Sequence, residues 1–330
     1  LLFRPNLRHN IKMIIVLLSK SLSVLGSSSV LADPGFGKWL LEFKADARAQ
    51  GIGNDLLEQA FQGVEPLPQV LELDRRQPES TMTFMEYQQK IVSEDRVRRG
   101  RQLLAEYRDL LDPVAEKYGV PARYLVALWG IETHYGRLTG NFGVVESLAT
   151  LAFDGRRSGF FRRELLNALQ ILHEGHISLT GMKGSWAGAM GQCQFMPSSF
   201  LRFAVDETGD GRKDIWTTEA DVFGSAANYL AQSGWRKNVR WGRRVILPER
   251  FDPGQSTLKI SKSLQQWQRM VLRNTERRDV PDSSLRGSII LPDGPGGPAF
   301  LVYDNYRVIL KWNRSTYFAT SVGLLADALL

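Results

Sequence analysis

The sequence predicts a mainly α-helical chain of α+β class, with a small β-rich section before its C-terminal end. Three observations predict it. Leu103, Leu104, Tyr107, Leu110 and Leu111 recur three or four residues apart, the spacing of one buried helix face. Pro121 to Gly136 reads as a second, strongly apolar helix. Gly294-Pro295-Gly296-Gly297-Pro298 separates Ser288–Leu291 from Phe300–Tyr303, which is a hairpin signal. The 330 residues suit two domains, three at most, at about 150 residues each. Apolar residues make up 43% and charged residues 23%, which excludes disordered and fibrous chains.

Taken in order, residues 1–32 read as an export signal. Arg4, Arg8 and Lys12 form a basic start, with Met13 a plausible initiator. Met13–Leu18 and Leu22–Leu25 are apolar, interrupted by Lys20, and Val30-Leu31-Ala32 suits a signal peptidase. The run is too short and too polar to span a bilayer, no cysteine lies there to carry a lipid anchor, and no later segment can span either. The expectation is an exported, periplasmic, soluble protein. Residues 33–119 read as an N-terminal helical domain, in which Asp112 caps a short helix with Pro113 first and Gly119 past its end. Residues 120–240 read as a second helix-rich domain. Pro248, Pro253, Pro281 and Pro292 punctuate 241–304, the β-rich section. Residues 305–330 form a C-terminal segment that ends in a helix over Ser315–Leu330.

The net charge of +7 and a pI near 9.5 suit an anionic partner without choosing one. Cys193 is the single cysteine, so no intrachain disulfide or cysteine-rich metal site exists. Four histidines leave little for a histidine-based metal site.

Two segments carry chemistry. Leu125, Leu128 and Trp129 precede Glu132 by seven, four and three residues, so the carboxylate shares their apolar face. Burial there disfavours its charged form and raises its pKa, as a general acid near neutral pH requires. The alternative is an edge glutamate paired with a surface cation, yet no Lys or Arg stands three or four residues away. Gly184–Pro197 combines small residues at 184, 187, 188, 189 and 191 with Ser185, Gln192 and Gln194 and with Trp186, Phe195 and Met196. Sugars need such a mixture of polar groups and flat apolar faces. Tight packing with no ligand is the other reading of the same residues.

Trp129-Gly-Ile-Glu132-Thr-His-Tyr-Gly136, Gly188-Ala-Met-Gly-Gln-Cys-Gln-Phe-Met-Pro197 and Ala227-Asn-Tyr229 together resemble the membrane-bound lytic murein transglycosylase B family. The resemblance covers most of residues 33–330 and implies a lysozyme-like core. It implies Glu132 as sole catalytic acid/base, with Ser185 and Gln194 holding glycan and Phe195 beside it. It also implies Tyr229 as a cleft residue, Tyr87 as an aromatic from the N-terminal domain, and Asn313 near the site. Trp312 stands where the family has Tyr, which leaves its role open. Cys193, in a variable slot, reads as a buried inert thiol. Because Ser185 and Gln194 carry matched roles, a change at Gln192 is expected to cost less.

Asp206, Thr208, Asp210 and the Arg212 carbonyl fall at EF-hand positions 1, 3, 5 and 7, with Gly211 at 6 and Asp214 at 9. Thr217 replaces the usual Glu at 12, and the resemblance makes Asp221 the closing ligand. A structural calcium is expected, with a metal-free turn as the alternative, and no cofactor for the chemistry. The implied reaction cleaves the MurNAc–GlcNAc bond of peptidoglycan glycan strands and leaves 1,6-anhydro-MurNAc ends, with other cell-wall enzymes as candidate partners. A lysozyme-type hydrolase using Glu146 or Asp154, or a non-catalytic peptidoglycan scaffold, are the alternatives. Nucleic acid has only the charge in its favour.

Overall fold

The computed structural model describes residues 34–75, 82–270, 272–279 and 285–330. The export-signal reading of 1–32 lies outside them. Helices dominate, as expected. In chain order they begin with α1 (Pro34–Ala49), α2 (Asn54–Phe61), α3 (Pro68–Arg75), α4 (Phe84–Ile91), α5 (Glu94–Glu106), α6 (Arg108–Tyr118) and α7 (Ala122–Thr133). Then come β1 (Phe142–Gly143), α8 (Val144–Phe153), α9 (Ser158–His173), β2 (Lys183–Gly184), α10 (Pro197–Phe203) and α11 (Glu219–Gln232). The last part holds β3 (Gly242–Ile246), β4 (Lys262–Ser263), α12 (Leu264–Arg269), β5 (Arg273–Asn274), β6 (Arg286–Ile290), β7 (Ala299–Val302), α13 (Asp304–Trp312) and α14 (Thr316–Ala328). Among the described residues no helix is long and apolar enough to cross a membrane.

Contacts group the described residues into two units, one drawn from 82–128 and 229–330, the other of residues 34–75 and 129–228, so the boundaries fall inside α7 and α11. The sequence divides into consecutive stretches; the contacts interleave them. In the second unit, α8 is buried over almost its whole length, and α3 is tied by the nearly inaccessible Asp74, which accepts from Arg156 at 2.9 and 2.6 Å and from Arg157. The pair β1–β2 closes this unit's short ribbon, with Phe142 opposite Gly184.

In the first unit, α5 and α6 break at Tyr107, so the leucine series spans two helices and buries only Leu103 and Leu111 fully. Pro113 lies inside α6, not at a helix start, while Gly119 does close it in the left-handed conformation at φ 68°. The expected hairpin forms from β6 and β7, with Ile290 opposite Phe300. It sits within an antiparallel sheet of order β4-β6-β7-β3-β5. Trp267, fully buried, anchors the core beneath it and donates to the Gly287 carbonyl at 2.9 Å. Ser315 caps α14, as its hydroxyl accepts from Phe318 N.

Candidate active site

Residues 124–133 of α7 are buried on every face, and Glu132 is the one charged side chain among them, 7% exposed. The helix stops one residue later, at Thr133, rather than at Gly136. His134, Tyr135 and Gly136 follow at φ 51°, 61° and 79°, three successive left-handed residues. Such backbone costs about 1–3 kcal/mol for each non-glycine residue and persists only where packing enforces it. The enforcing contacts are visible. The Tyr135 ring folds back over Gly130, where a Cβ would stand 2.6 Å from it. Tyr135 N donates to the Trp129 carbonyl at 3.2 Å, and Gly136 N donates to Thr133 Oγ1 at 3.1 Å. The Thr133 hydroxyl lies 3.2 Å from both the Trp129 and Gln192 carbonyls.

Gln192 is the hub of this arrangement. Its Oε1 accepts from Trp129 Nε1 at 2.6 Å, and its Nε2 donates to the Trp216 carbonyl at 3.0 Å. Its main-chain N–H donates to the Ile215 carbonyl at 2.8 Å. A Cβ on Gly136 would stand 2.3 Å from Gln192 Oε1, so the motif's last glycine leaves room for this side chain. Sequence reasoning gave Gln192 a lesser role. Its partner Trp129 is 63 positions away, and no local spacing announces the pair.

The 184–197 segment is a tight, buried loop. Ser185 N donates to the Ala189 carbonyl at 2.8 Å, and Ser185 Oγ accepts from Ala189 N at 3.0 Å. Gln194, at φ 50° and 1% exposed, donates from Nε2 to the Thr139 and Gly191 carbonyls at 3.0 and 2.9 Å. These two acceptors fix its amide, and its Oε1 is left buried with no donor among the described residues. An orphaned acceptor costs about 1–3 kcal/mol, which an N–H or O–H group from a ligand or water relieves. The Phe195 ring is buried in the same loop, as Ser185 and Gln194 are. Trp186 and Met196 are likewise buried. Cys193 is buried, and its thiol donates to the Val222 carbonyl at 3.3 Å.

Tyr87, Tyr229 and Asn313 belong to the other unit. Tyr87, on α4, is half-buried. The Tyr229 hydroxyl donates to the Lys311 carbonyl at 2.7 Å, and its ring meets the buried Trp312 edge-on at 4.7 Å. Asn313 is buried and accepts from Ser315 N at 3.0 Å. The two other acids weighed as catalysts have separate duties. Asp154 pairs with Arg75 at 2.9 Å. The Glu146 carboxylate folds over Gly143, where a Cβ would stand 2.0 Å from it.

The 206–221 loop is closed by its own amides. Asp206 accepts from Gly209 N at 2.6 Å, Asp210 N at 3.2 Å, Gly211 N at 2.7 Å and the Thr208 hydroxyl at 3.1 Å. Asp210 accepts from Arg212 N at 2.9 Å. Asp221, buried, accepts from Glu207 N at 2.8 Å and Asp214 N at 2.7 Å, tying both ends of the loop to α11. Thr217, at the twelfth position, donates its hydroxyl to Asp214. Among the described residues no three His, Cys, Asp or Glu side chains converge as a metal set. Burial nonetheless pushes the Asp221 carboxyl above its ordinary range, and the nearby Asp206 charge adds to that.

Comparison with known proteins places this geometry. The model of the transglycosylase SLT domain family matches residues 35–327. Membrane-bound lytic murein transglycosylase B of Escherichia coli is 30% identical over 289 residues, which are 84% of this chain and 78% of that protein. The crystal structure of SltB3 from Pseudomonas aeruginosa in complex with NAG-anhNAM-pentapeptide is 44% identical and superposes with a TM-score of 0.87, covering 90% of this chain and 80% of that one. The Escherichia coli lytic transglycosylase Slt35 in complex with calcium is 29% identical with a TM-score of 0.75, covering 90% and 93%.

Proposed function

Because the chain belongs to the transglycosylase SLT domain family, we propose that it cleaves the MurNAc–GlcNAc β-1,4 bond of murein with Glu132 as its single general acid/base. The observation that carries this reading is the lone buried carboxylate at the end of α7, in a turn held by Gln192 and Thr133. Ordinary glycosidases work with two carboxylates. Here Asp154 is paired to Arg75 and Glu146 is folded over Gly143, and the family resemblance assigns both steps to one acid.

The protonated Glu132 gives its proton to the glycosidic oxygen as the C1–O bond breaks, and the departing sugar leaves as an alcohol. The muramyl acetamide oxygen stabilises C1 from within the substrate. Glu132, now a carboxylate, takes the proton of the muramyl C6 hydroxyl, whose oxygen attacks C1 and displaces the acetamide. The product is a 1,6-anhydro ring, water takes no part, and Glu132 ends protonated for the next cycle. SltB3 was crystallised with an anhydro-muramyl ligand of this kind. Ser185 and Gln194 are proposed to hold the glycan, the latter through its orphaned Oε1. Tyr87, Tyr229 and Asn313 are proposed glycan contacts on the family resemblance, with Tyr229 offering its ring because its hydroxyl is engaged.

Calcium at Asp206, Thr208, Asp210, the Arg212 carbonyl and Asp221 is proposed to stabilise the loop, supported by the calcium complex of Slt35. It supplies no step of the reaction. Murein lies outside the cytoplasmic membrane, and the basic, apolar start of the chain is proposed to direct export there. Mass analysis of digested sacculi tests the reaction, since anhydro ends are one water lighter than hydrolysed ends. Reducing ends as the main product replace this reading with a hydrolase.

A further inference from the structure

We propose that Asp293 and Tyr317 are positioning residues for Tyr87, fixing the plane of the ring it offers to a sugar and so acting on glycan affinity rather than on bond cleavage. The inference rests on the reading of Tyr87 as a glycan contact. All three residues lie in the same unit.

Helix α4 has eight residues, too few to hold itself in water. Its first turn is secured from within by a capping box, in which Thr83 Oγ1 accepts from Glu86 N and the Glu86 carboxylate accepts from Thr83 N at 2.7 Å. A second carboxylate then arrives from far along the chain. Asp293 Oδ1 accepts from Phe84 N, and its Oδ2 accepts from Met85 N at 3.3 Å. Asp293 stands at the start of the glycine- and proline-rich turn between β6 and β7, packed so close to Gly297 that a Cβ there would sit 2.7 Å from its own. The turn thus does more than reverse the chain. It delivers a negative charge to the amides at the start of α4.

Tyr317 completes the link. Its hydroxyl donates to Asp293 Oδ1 at 3.2 Å. Its ring meets Phe84 edge-on at 5.4 Å and the Tyr87 ring at 5.6 Å with an interplanar angle of 54°. Phe84, fully buried, is also held edge-on by Phe300 of β7 at 5.8 Å. Burial, and then the Asp293 carboxylate, push the Tyr317 phenol upward, so it keeps its proton to donate. Tyr87 is the half-buried member at the end of this chain of contacts. A ring set in place before the sugar arrives loses little freedom on binding. One that must be ordered by the sugar binds it less tightly.

Steady-state kinetics on a soluble MurNAc–GlcNAc oligomer test this. An aromatic contact of this kind is worth about two- to ten-fold in affinity, so Tyr317→Ala should raise KM by about that factor with kcat little changed. Tyr317→Phe, which keeps shape and loses only the hydrogen bond, and Asp293→Asn, which keeps shape and removes the charge, should raise KM less. Placed in a Tyr87→Ala background, Tyr317→Ala should add nothing further to KM. An equal increase in both backgrounds shows that Tyr317 acts independently and overturns the proposal. A KM raised by Tyr87→Ala but untouched by the Tyr317 and Asp293 variants overturns the positioning role and leaves the glycan role of Tyr87 standing. A KM unchanged by Tyr87→Ala overturns the glycan role, and the positioning role with it.

Discussion

Replacing Gln192 with Leu separates a positioning role from a sugar-binding one. Leucine keeps nearly the volume and removes two hydrogen bonds, the buried acceptor for Trp129 Nε1 and the part-buried donor to the Trp216 carbonyl. The backbone bond to Ile215 survives. Depriving a buried polar group of its partner costs about 1–3 kcal/mol, and the half-buried Trp216 recovers part of its share from water, so a loss of about 2–4 kcal/mol is expected. Urea unfolding measures it as a lower midpoint at constant slope. The chemical step should suffer separately. Trp129 sits three residues before Glu132 on the same helix face, and a misplacement of about 1 Å costs on the order of 100-fold in rate. A kcat reduced toward that size, with KM nearly unchanged, is the expected result. Ser185→Ala should instead raise KM. If Gln192→Leu lowers stability by that amount but leaves kcat intact, the Gln192 clamp does not position Glu132.

Glu132→Gln should lower the release of anhydro-muropeptides by at least roughly 10²–10⁴-fold, because one residue supplies both proton transfers. Near-normal release from purified sacculi would refute the mechanism, whereas Glu146→Gln and Asp154→Asn should leave activity standing. Calcium at 100 times its dissociation constant should stabilise the fold by about 2.7 kcal/mol over the chelated protein; identical melting points across millimolar calcium would remove the metal from the account. In chelator, stability should depend on pH with two signs. Burial raises Asp206 and Asp214, but their hydrogen bonds outweigh it and hold both below the ordinary carboxylate range. They therefore contribute stability above about pH 4 that is lost as pH falls through their folded values. Asp221, raised by burial and by Asp206, weakens the fold while charged, so acidification relieves it. Calcium stabilisation should accordingly shrink as Asp221 takes up its proton, and denaturation curves at stepped pH, with and without calcium, would show it.

The sequence reveals periodicity and punctuation well and long-range geometry poorly. The apolar spacing around Glu132, the hairpin flanking the glycine- and proline-rich turn and the closing helix after Asn313 were all legible, because each is decided within a few residues. The end of α7 was not. Nothing in the identities of His134 and Tyr135 announces left-handed backbone, which follows from the Tyr135 ring docking on Gly130. Pro113 looks like a helix start and lies inside α6, since the break falls at Tyr107 instead. Gln192 misleads as well: a glutamine with no matched role holds the helix that carries the acid, through a contact from a distant part of the chain.

The interleaving of the two units has a kinetic consequence. One unit joins residues 34–75 to 129–228, and the other joins 82–128 to 229–330. On a ribosome, the first of these cannot close until residue 228 has emerged, and the second not until the chain is nearly finished. Each also closes long loops before its own contacts reward it, which slows folding further. A nascent chain woven in this way stays open for most of its synthesis.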